Sequence, residues 1–374
     1  MDFGYHVNNP LTALYFSAKT GILYKAPALF WFMWSHLVKN YQAWAVQTEQ
    51  FPQNGVLEEQ IRFLLRYAIL APSSHNSQPW RFFVSGNTLD IDLNKERTLP
   101  VSDPTNRLAY IGLGAALENI LTAADYFGFK AMETYFPNGE HKSPAIRISF
   151  VKTTPPPSNP THRIHAIVRR RSNRGPYMNQ PLPESFVQKL TIFASGNVHI
   201  SYITEPEMRM RLVDALMDAR LKIFDHVPFR KELVKYKRNN LTRSGTGMPG
   251  FTMGFPLLMS FITPLAIRLF NVIKIFRAKE EKLLKVYTPF FFTLGTGEDT
   301  ARDWMDAGKC LQKILLEAEH AGIHSSIAVF PRTPDVLSLY QSIAPGGYHP
   351  HMFCRLGFSH DRPRHSPRLL PEEL

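Results

Sequence analysis

Four arginines and one serine lie within six consecutive residues of the chain, in the segment Arg169-Arg170-Arg171-Ser172-Asn173-Arg174. Guanidinium groups bind phosphate oxygens through paired hydrogen bonds, and a serine hydroxyl adds one more donor. The segment can therefore hold a phosphomonoester. A solvated basic helix end is the alternative interpretation, but further cations at Arg362, Arg364 and Arg368 favour an anion site.

A second segment, Pro72-Ser73-Ser74-His75-Asn76-Ser77-Gln78-Pro79-Trp80, places short hydrogen-bonding side chains between a predicted helix and a predicted strand. Backbone amides and amide side chains in such a loop can contact a planar heteroaromatic ring. Taken alone, the segment also fits an ordinary helix-to-strand turn. Its lone histidine is interpreted as structural.

Several familiar catalytic patterns are absent from the sequence. His320 and His324 are four residues apart, but Gly322 lies at a predicted helix end between them and no glutamate intervenes, so a zinc-protease site is not expected. There is neither a nucleophile elbow nor a Gly-Lys-Ser/Thr phosphate loop. Cys310 and Cys354 lie in apolar patterns, which predicts two buried reduced thiols, no metal site and a cytoplasmic setting.

The formal net charge of +12 favours anionic partners. Basic residues are dispersed, and no zinc-finger or RNA-binding pattern accompanies them, so nucleic acid is not an expected partner. A phosphorylated cofactor or an anionic membrane surface fits better. The apolar stretches 26–34 and 250–267 are interpreted either as an extension and a lid that cover the core, or as segments in a membrane interface. Peripheral contact with the inner face of the membrane therefore stays open.

The elements that must position these residues include one helix that is present twice. Gly114, Leu117, Ile120, Leu121, Ala124 and Gly128 recur 194 residues later as Gly308, Leu311, Ile314, Leu315, Ala318 and Gly322. The apolar residues have helical spacing, and the glycine that closes each run predicts a left-handed C-terminal cap. Because the two chemical segments are not repeated, each half looks incomplete and the site is expected between them.

The repeat and the composition divide the chain into four parts: an apolar extension at 1–50, a first half at 51–152, a proline-rich linker at 153–161, and a second half at 162–374 with a lid-like insertion at about 243–276. Helices are predicted at 57–70, 111–127, 163–171, 207–224 and 304–321. Strands are predicted at 80–84 and 89–93, which form a hairpin, and at 145–151, 289–294 and 352–358. The pattern is typical of an α+β fold with helices packed on antiparallel sheets.

The motifs resemble those of the nitroreductase family of FMN-dependent oxidoreductases, over roughly residues 57–374. The similar segments are Ala71 to Phe82, Arg170 to Arg174 with Pro181-Leu182-Pro183-Glu184, Glu317 to Ile323 with Ser325 and Ser326, and Arg355 to Phe358 with Ser366 to Leu369. The resemblance implies a bound FMN. Its cofactor-binding residues would be Pro72, Ser73, Ser74, Asn76, Gln78, Arg170, Arg171, Ser172, Arg174, Ser325, Ser326 and Arg368. No side chain is expected to be catalytic, because the chemistry would take place on the flavin.

Family members are generally intertwined homodimers with sites built from both subunits. Here the motifs are split between the halves, which resembles the internally duplicated branch in which one chain imitates the dimer and keeps one site. The resemblance implies a monomer, with a further dimer left open. It also implies hydride transfer at flavin N5 from NAD(P)H to a small organic acceptor. The alternative is a flavin-sequestering protein with a closed lid and little turnover.

Overall fold

The structure is a computed structural model that describes residues 39–140, 142–153, 162–194, 196–203, 205–344 and 346–374. The predicted apolar stretch 26–34 and most of the predicted linker at 153–161 lie outside the described residues. The described part of the predicted N-terminal extension includes Ala43 and Trp44, which are buried in the main hydrophobic core.

The fold contains two four-stranded sheets that have the same strand order. The strands are β1 (Trp80–Ser85), β2 (Thr88–Leu93), β3 (Phe129–Tyr135), β4 (Ile146–Lys152), β5 (Val198–Tyr202), β6 (Lys237–Arg238), β7 (Met248–Pro249), β8 (Phe290–Thr296), β9 (His324–Val329) and β10 (His349–Gly357). The first sheet has the order β1-β2-β4-β3 and the second β5-β8-β10-β9, while β6 and β7 form a separate short pair. Every pair within the two large sheets is antiparallel. The predicted α+β class with two similar halves is confirmed.

Helices cover both sheets. They are α1 (Leu57–Ala68), α2 (Arg107–Tyr126), α3 (Arg163–Arg169), α4 (Glu184–Phe193), α5 (Pro206–Asp225), α6 (Val227–Lys235), α7 (Leu257–Leu269), α8 (Ile273–Lys285), α9 (Ala301–His320) and α10 (Pro334–Ile343). The repeated helix is the pair α2 and α9, whose first and last residues are each 194 positions apart. Gly128 and Gly322 follow these helices with φ of 78° and 72°, which confirms the predicted left-handed glycine caps.

The two copies of this helix cross at their glycines. A Cβ atom added to Gly114 would lie 1.9 Å from the carbonyl oxygen of Met305, and one added to Gly308 would lie 2.0 Å from that of Ile111. The two contacts involve equivalent positions, because Gly114 and Gly308 are 194 residues apart and so are Ile111 and Met305. The two helices therefore meet through equivalent surfaces. The internal repeat therefore packs against itself as a symmetric dimer would.

The polar pairs next to the crossing are related by the same offset of 194 residues. Gln312 Nε2 donates a hydrogen bond of 2.7 Å to Asn119 Oδ1. The equivalent pair is Lys313 and Glu118, whose charged atoms are 3.8 Å apart. One hydrophobic cluster contains side chains of both helices and both sheets, Ile148 and Phe292 among them. The two halves consequently share one core.

The halves differ most where two neighbouring strands are connected. In the first half β1 and β2 are joined by a tight turn in which Gly86 has φ of 58°. In the second half the equivalent strands β5 and β8 are joined by residues 203–289, which form α5 to α8 and the short β6–β7 pair. The predicted lid at 243–276 lies inside this connection. Its helices pack beside the second sheet around a separate apolar cluster.

Candidate functional site

Five arginines line a small cavity where the halves meet, and four of them were predicted for the site. These four are Arg170, Arg171, Arg174 and Arg368, and the cavity has a volume of about 50 Å³. Among the described residues, none of the four forms an ion pair with a carboxylate. Buried cations are normally paired, so this arrangement indicates a site for an anion.

Two of these arginines are almost completely buried. Arg170 is 3% exposed and Arg368 is 4% exposed. Burial lowers the pKa of Arg170 to about 10 and that of Arg368 to about 9. The Nε and Nη1 atoms of Arg170 and the Nε atom of Arg368 are buried without a hydrogen-bond partner in the described part of the chain. Each such donor costs free energy until an acceptor reaches it.

The arginine segment leaves its helix earlier than predicted. The sequence pattern extends the helix to Arg171, whereas α3 ends at Arg169 and Arg170 has extended ψ of 133°. The extended segment pairs with β9 instead. Ser172 forms a parallel bridge with Ser325, and the backbone N–H of Asn173 donates to the Ser325 carbonyl at 2.8 Å. This extended course directs the arginines toward the junction.

Arg368 is held by the first half of the chain. Its Nη1 atom donates to Asn76 Oδ1 at 2.7 Å, and its Nη2 atom donates to the Ala71 carbonyl at 3.2 Å. Its guanidinium lies 4.8 Å from the ring centroid of Trp44, which itself stacks on His365 at 4.0 Å. The C-terminal segment therefore returns across the first half and closes the anion site.

The Pro72–Trp80 loop has a strained backbone. His75, Asn76 and Gln78 have φ of 53°, 56° and 54°, a region that residues other than glycine seldom adopt. Amide side chains fix this course: Asn76 Nδ2 donates to the Gly247 carbonyl at 3.0 Å, and Gln78 Nε2 donates to the Gly245 carbonyl at 2.8 Å. Such strain is common at ligand-binding segments, where surrounding contacts maintain it.

The small polar cavity adjoins a much larger one of about 1080 Å³. The residues that contribute to both cavities are Pro72, Ser73, Ser172, Arg174, Met248 and Thr252. The larger cavity is mostly apolar. Its lining includes Met259, Ile262 and Phe276 of α7 and α8, which are here called the lid helices. A ligand with a charged end and a broad apolar body fits this combination.

Most of the residues predicted for the site line these cavities. Those that do are Pro72, Ser73, Ser74, Asn76, Arg170, Arg171, Ser172, Arg174 and Arg368. Gln78, Ser325 and Ser326 line neither cavity. Gln78 is fully buried and fixes the loop, while the two serines lie on β9 immediately before Ile327, which lines the larger cavity.

Sequence reasoning missed several residues around the cavities: Trp44, Lys237, Met248, Thr252, His365 and Ser366. Arg364, noted only as one of several C-terminal cations, also lines the small cavity. Lys237 has the most unusual environment of this group. Its Nζ atom donates to the sulfur of Met253 at 2.8 Å, and burial together with the charges of Arg174 and Arg220 lowers its pKa to about 7.

The lowered pKa of Lys237 predicts a pH dependence of stability. Since an unfolded lysine has a pKa of about 10.4, the unfolded chain binds more protons than the folded chain between about pH 7 and pH 10. The contribution of Lys237 to the free energy of unfolding therefore increases as the pH rises through this range. We expect Lys237→Met to gain less stability than the wild type between pH 7 and pH 9 in urea unfolding. The exposed Lys235, changed to Met, should follow the wild-type profile; an unchanged profile for Lys237→Met would contradict the assignment.

The two cysteines match their prediction. Cys310 and Cys354 are free and buried. Burial raises the pKa of both thiols, that of Cys310 to about 12. Both side chains belong to the shared hydrophobic core rather than to either cavity.

Comparison with known proteins identifies sequence relatives, although no protein-family model matches the chain. A Mycobacterium tuberculosis protein named "Putative NAD(P)H nitroreductase acg" is 32% identical over 178 residues, which cover 46% of this chain and 53% of that protein. The match thus spans about half the length of that relative. An uncharacterized protein of the same organism is 26% identical over 271 residues, covering 70% of this chain and 76% of that protein. The relative named as a nitroreductase confirms the predicted resemblance.

Solved structures give weaker similarity. The FMN-dependent nitroreductase NfnB from Mycobacterium smegmatis, in complex with NADPH, is 16% identical, with 57% of this chain and 96% of that chain covered and a TM-score of 0.37. A nitroreductase with bound FMN from Desulfitobacterium hafniense is 14% identical, with 55% and 94% covered and a TM-score of 0.32.

Proposed function

We propose, from the similarity of this chain to proteins named as NAD(P)H nitroreductases, that it is an FMN-binding oxidoreductase of nitroreductase type. In the proposed reaction, hydride passes from NAD(P)H by way of the flavin to a small organic acceptor. The observation that carries the proposal is a group of arginines, two of them buried, that have no carboxylate partner among the described residues and adjoin a large apolar cavity at the junction of the halves.

The donors present fit the phosphate group of FMN. Arg170, Arg171 and Arg368 would hold the phosphate, with the Ser172 hydroxyl as a further donor, because guanidinium groups bind phosphate oxygens in pairs. The buried nitrogen atoms of Arg170 and Arg368 that have no partner are suited to this anion. The adjoining cavity of about 1080 Å³ has room for the ring system, since small-molecule sites enclose roughly 300–1,000 Å³.

When bound, FMN supplies hydride chemistry at its N5 atom. The side chains supply binding, orientation and electrostatic stabilisation. Arg174 lines both cavities, and its cation would stabilise negative charge at the N1/O2 edge of the ring. Lys237 is one of several further basic residues that line the larger cavity. The apolar side chains that the lid helices contribute to this cavity would lower the dielectric constant around these groups and so strengthen their electrostatic effect.

The proposal includes one site per chain. The Pro72–Trp80 loop comes from the first half, whereas the arginine segment and Arg368 come from the second. Their contacts are direct, since Asn76 accepts a hydrogen bond from Arg368. A single composite site within a monomer is therefore the proposed arrangement, and it replaces the two sites of a homodimer.

A flavin-sequestering protein is the second candidate function, and the position of the lid favours it. Met259, Ile262 and Phe276 of the lid helices line the larger cavity together with Ser73 and Ser74 of the Pro72–Trp80 loop. A lid that stays closed would keep a nicotinamide nucleotide away from the flavin. The two candidates share the cofactor and differ only in access to it.

Anaerobic addition of NADPH to the purified flavin-loaded protein separates the two candidates. We expect loss of the visible flavin absorbance within minutes, because the oxidoreductase must accept hydride from a nicotinamide nucleotide. Dithionite provides the control, since a small reductant should bleach the flavin in either case. If dithionite bleaches the flavin and neither NADPH nor NADH does, the sequestering function is correct and the oxidoreductase proposal is wrong.

A further inference from the structure

Helix α7 exposes one continuous apolar stripe. Its members, here called the lid stripe, are Leu258, Phe261, Ile262, Leu265 and Leu269, which are 78%, 51%, 57%, 59% and 56% exposed. They recur at intervals of three and four residues, so they share one face of the helix. Phe270, at 63% exposed, continues the stripe beyond the helix end. Contiguous exposed apolar surface of this kind marks an interaction site.

We propose that the lid stripe docks on an anionic phospholipid surface. An interfacial helix buries its apolar face at the boundary of headgroups and acyl chains, and basic residues beside it bind anionic headgroups. The sequence of α7 has no acidic residue, and its single charged residue is the exposed Arg268. The docking requires no bound cofactor and does not depend on the proposed function.

The exposed charges of α7 and α8 favour a membrane over a second copy of the chain as the partner of the lid stripe. Arg268, Lys279 and Lys282 are exposed, and none forms an ion pair in the described part of the chain. Two copies meeting through this face would bring their uncompensated cations together, in a protein with a net charge of +12. An anionic surface instead attracts these cations.

The lid helices lie along the protein surface rather than forming a straight span. Within the described residues, no single helix is long and apolar enough to cross a membrane, and α7 with α8 passes that test only as a pair bent by 114°. Ion pairs attach α8 to α5: Lys274 contacts Asp225 at 3.0 Å, and Arg277 contacts Asp218 at 3.0 Å. These attachments favour a position in the plane of the interface.

Docking would also bring the larger cavity close to the membrane. Ile262 belongs to the lid stripe and also lines that cavity, so the docking surface adjoins the cavity. This arrangement favours an apolar electron acceptor taken from the membrane. That consequence, unlike the docking itself, rests on the proposed function.

Flotation of the full-length protein with lipid vesicles tests the docking. We expect recovery with vesicles of phosphatidylglycerol and phosphatidylcholine, and at least tenfold less recovery with phosphatidylcholine alone. The triple variant Leu258→Asp/Phe261→Asp/Leu265→Asp should lose at least tenfold of the binding to anionic vesicles. The control Phe83→Asp/Ile192→Asp changes two other exposed apolar residues, which are 57% and 75% exposed, and should bind as the wild type does.

Circular dichroism and sedimentation distinguish the possible causes of a change in vesicle binding. The variants replace exposed side chains, and an unchanged circular dichroism spectrum confirms that they fold. The proposal is wrong if the triple variant floats as well as the control, because the binding then comes from another part of the chain. It is also wrong if the wild type fails to float with anionic vesicles; a dimer in sedimentation that the triple variant abolishes would then show that the stripe binds a second copy. Equal recovery with neutral vesicles would overturn the role of the basic residues.

Discussion

Replacing Arg171 and Arg174 together by alanine is expected to give a folded protein that purifies without flavin, whereas the wild type purifies with close to one FMN per chain. Hydrogen bonds to charged groups contribute about 1.5–3 kcal/mol each. Loss of two such interactions amounts to about 3–6 kcal/mol, or roughly a hundredfold to ten-thousandfold weaker binding. The measurements are the ratio of flavin to protein absorbance after purification and the dissociation constant on adding FMN to the apoprotein.

The choice of these two arginines follows from their contacts. Arg368 binds the Ala71 carbonyl and lies over Trp44, and Arg170 is fully enclosed by protein, so alanine at either position would disturb the fold. Arg174, in contrast, makes one hydrogen bond with the described residues, a 3.3 Å contact to the Thr252 carbonyl. Arg171 contacts His365 and the Pro363 carbonyl. Their loss should therefore affect the ligand more than the core.

A matched control is available on α1. Arg62 is exposed and pairs with Glu58 one helical turn away, so Arg62→Ala should retain the flavin. Equal free energies of unfolding for the apoproteins of the double variant and the control would show that the fold is intact. Flavin retained by the double variant would contradict the site, and a colourless wild type would contradict the proposed cofactor.

Much of the fold could be predicted because the repeat is visible in the sequence. A constant offset of 194 residues implies that the two helices adopt equivalent positions, and the strands around them take the same order in both sheets. The arginine segment was found for a related reason. Its donors are consecutive in the chain, so their density is visible without knowledge of tertiary contacts.

Other features depend on contacts between distant segments and could not be predicted. The amide groups of Asn76 and Gln78 can bind either a ligand or the backbone, and only the approach of Gly245 and Gly247 makes them positioning residues. Trp44 reaches the site because the C-terminal segment returns to it. One signal was available and not used: a glycine inside a helix costs about 1 kcal/mol relative to alanine, so Gly114 and Gly308 indicated a close helix contact.

Alanine at Gly114 or at Gly308 is expected to lower the free energy of unfolding by about 3 kcal/mol or more, because of this close helix contact. The added Cβ atoms would lie 1.9 Å and 2.0 Å from carbonyl oxygens of the opposite helix. Backbone atoms cannot rotate away as a side chain can, so α2 and α9 must separate and the core between the halves must open. Because the two contacts are equivalent, the two variants should lose similar amounts of stability in urea unfolding.

Gly112 provides the control on the same helix. A Cβ atom there would have its nearest neighbour at 3.7 Å, which is ordinary van der Waals contact. Gly112→Ala should therefore keep the wild-type stability or increase it by up to about 1 kcal/mol, through its higher helix propensity. If Gly114→Ala were as stable as Gly112→Ala, the helices would not cross at their glycines. A large loss for Gly114→Ala with none for Gly308→Ala would instead contradict the symmetry, since equivalent contacts in a shared core must be similarly intolerant of an added methyl group.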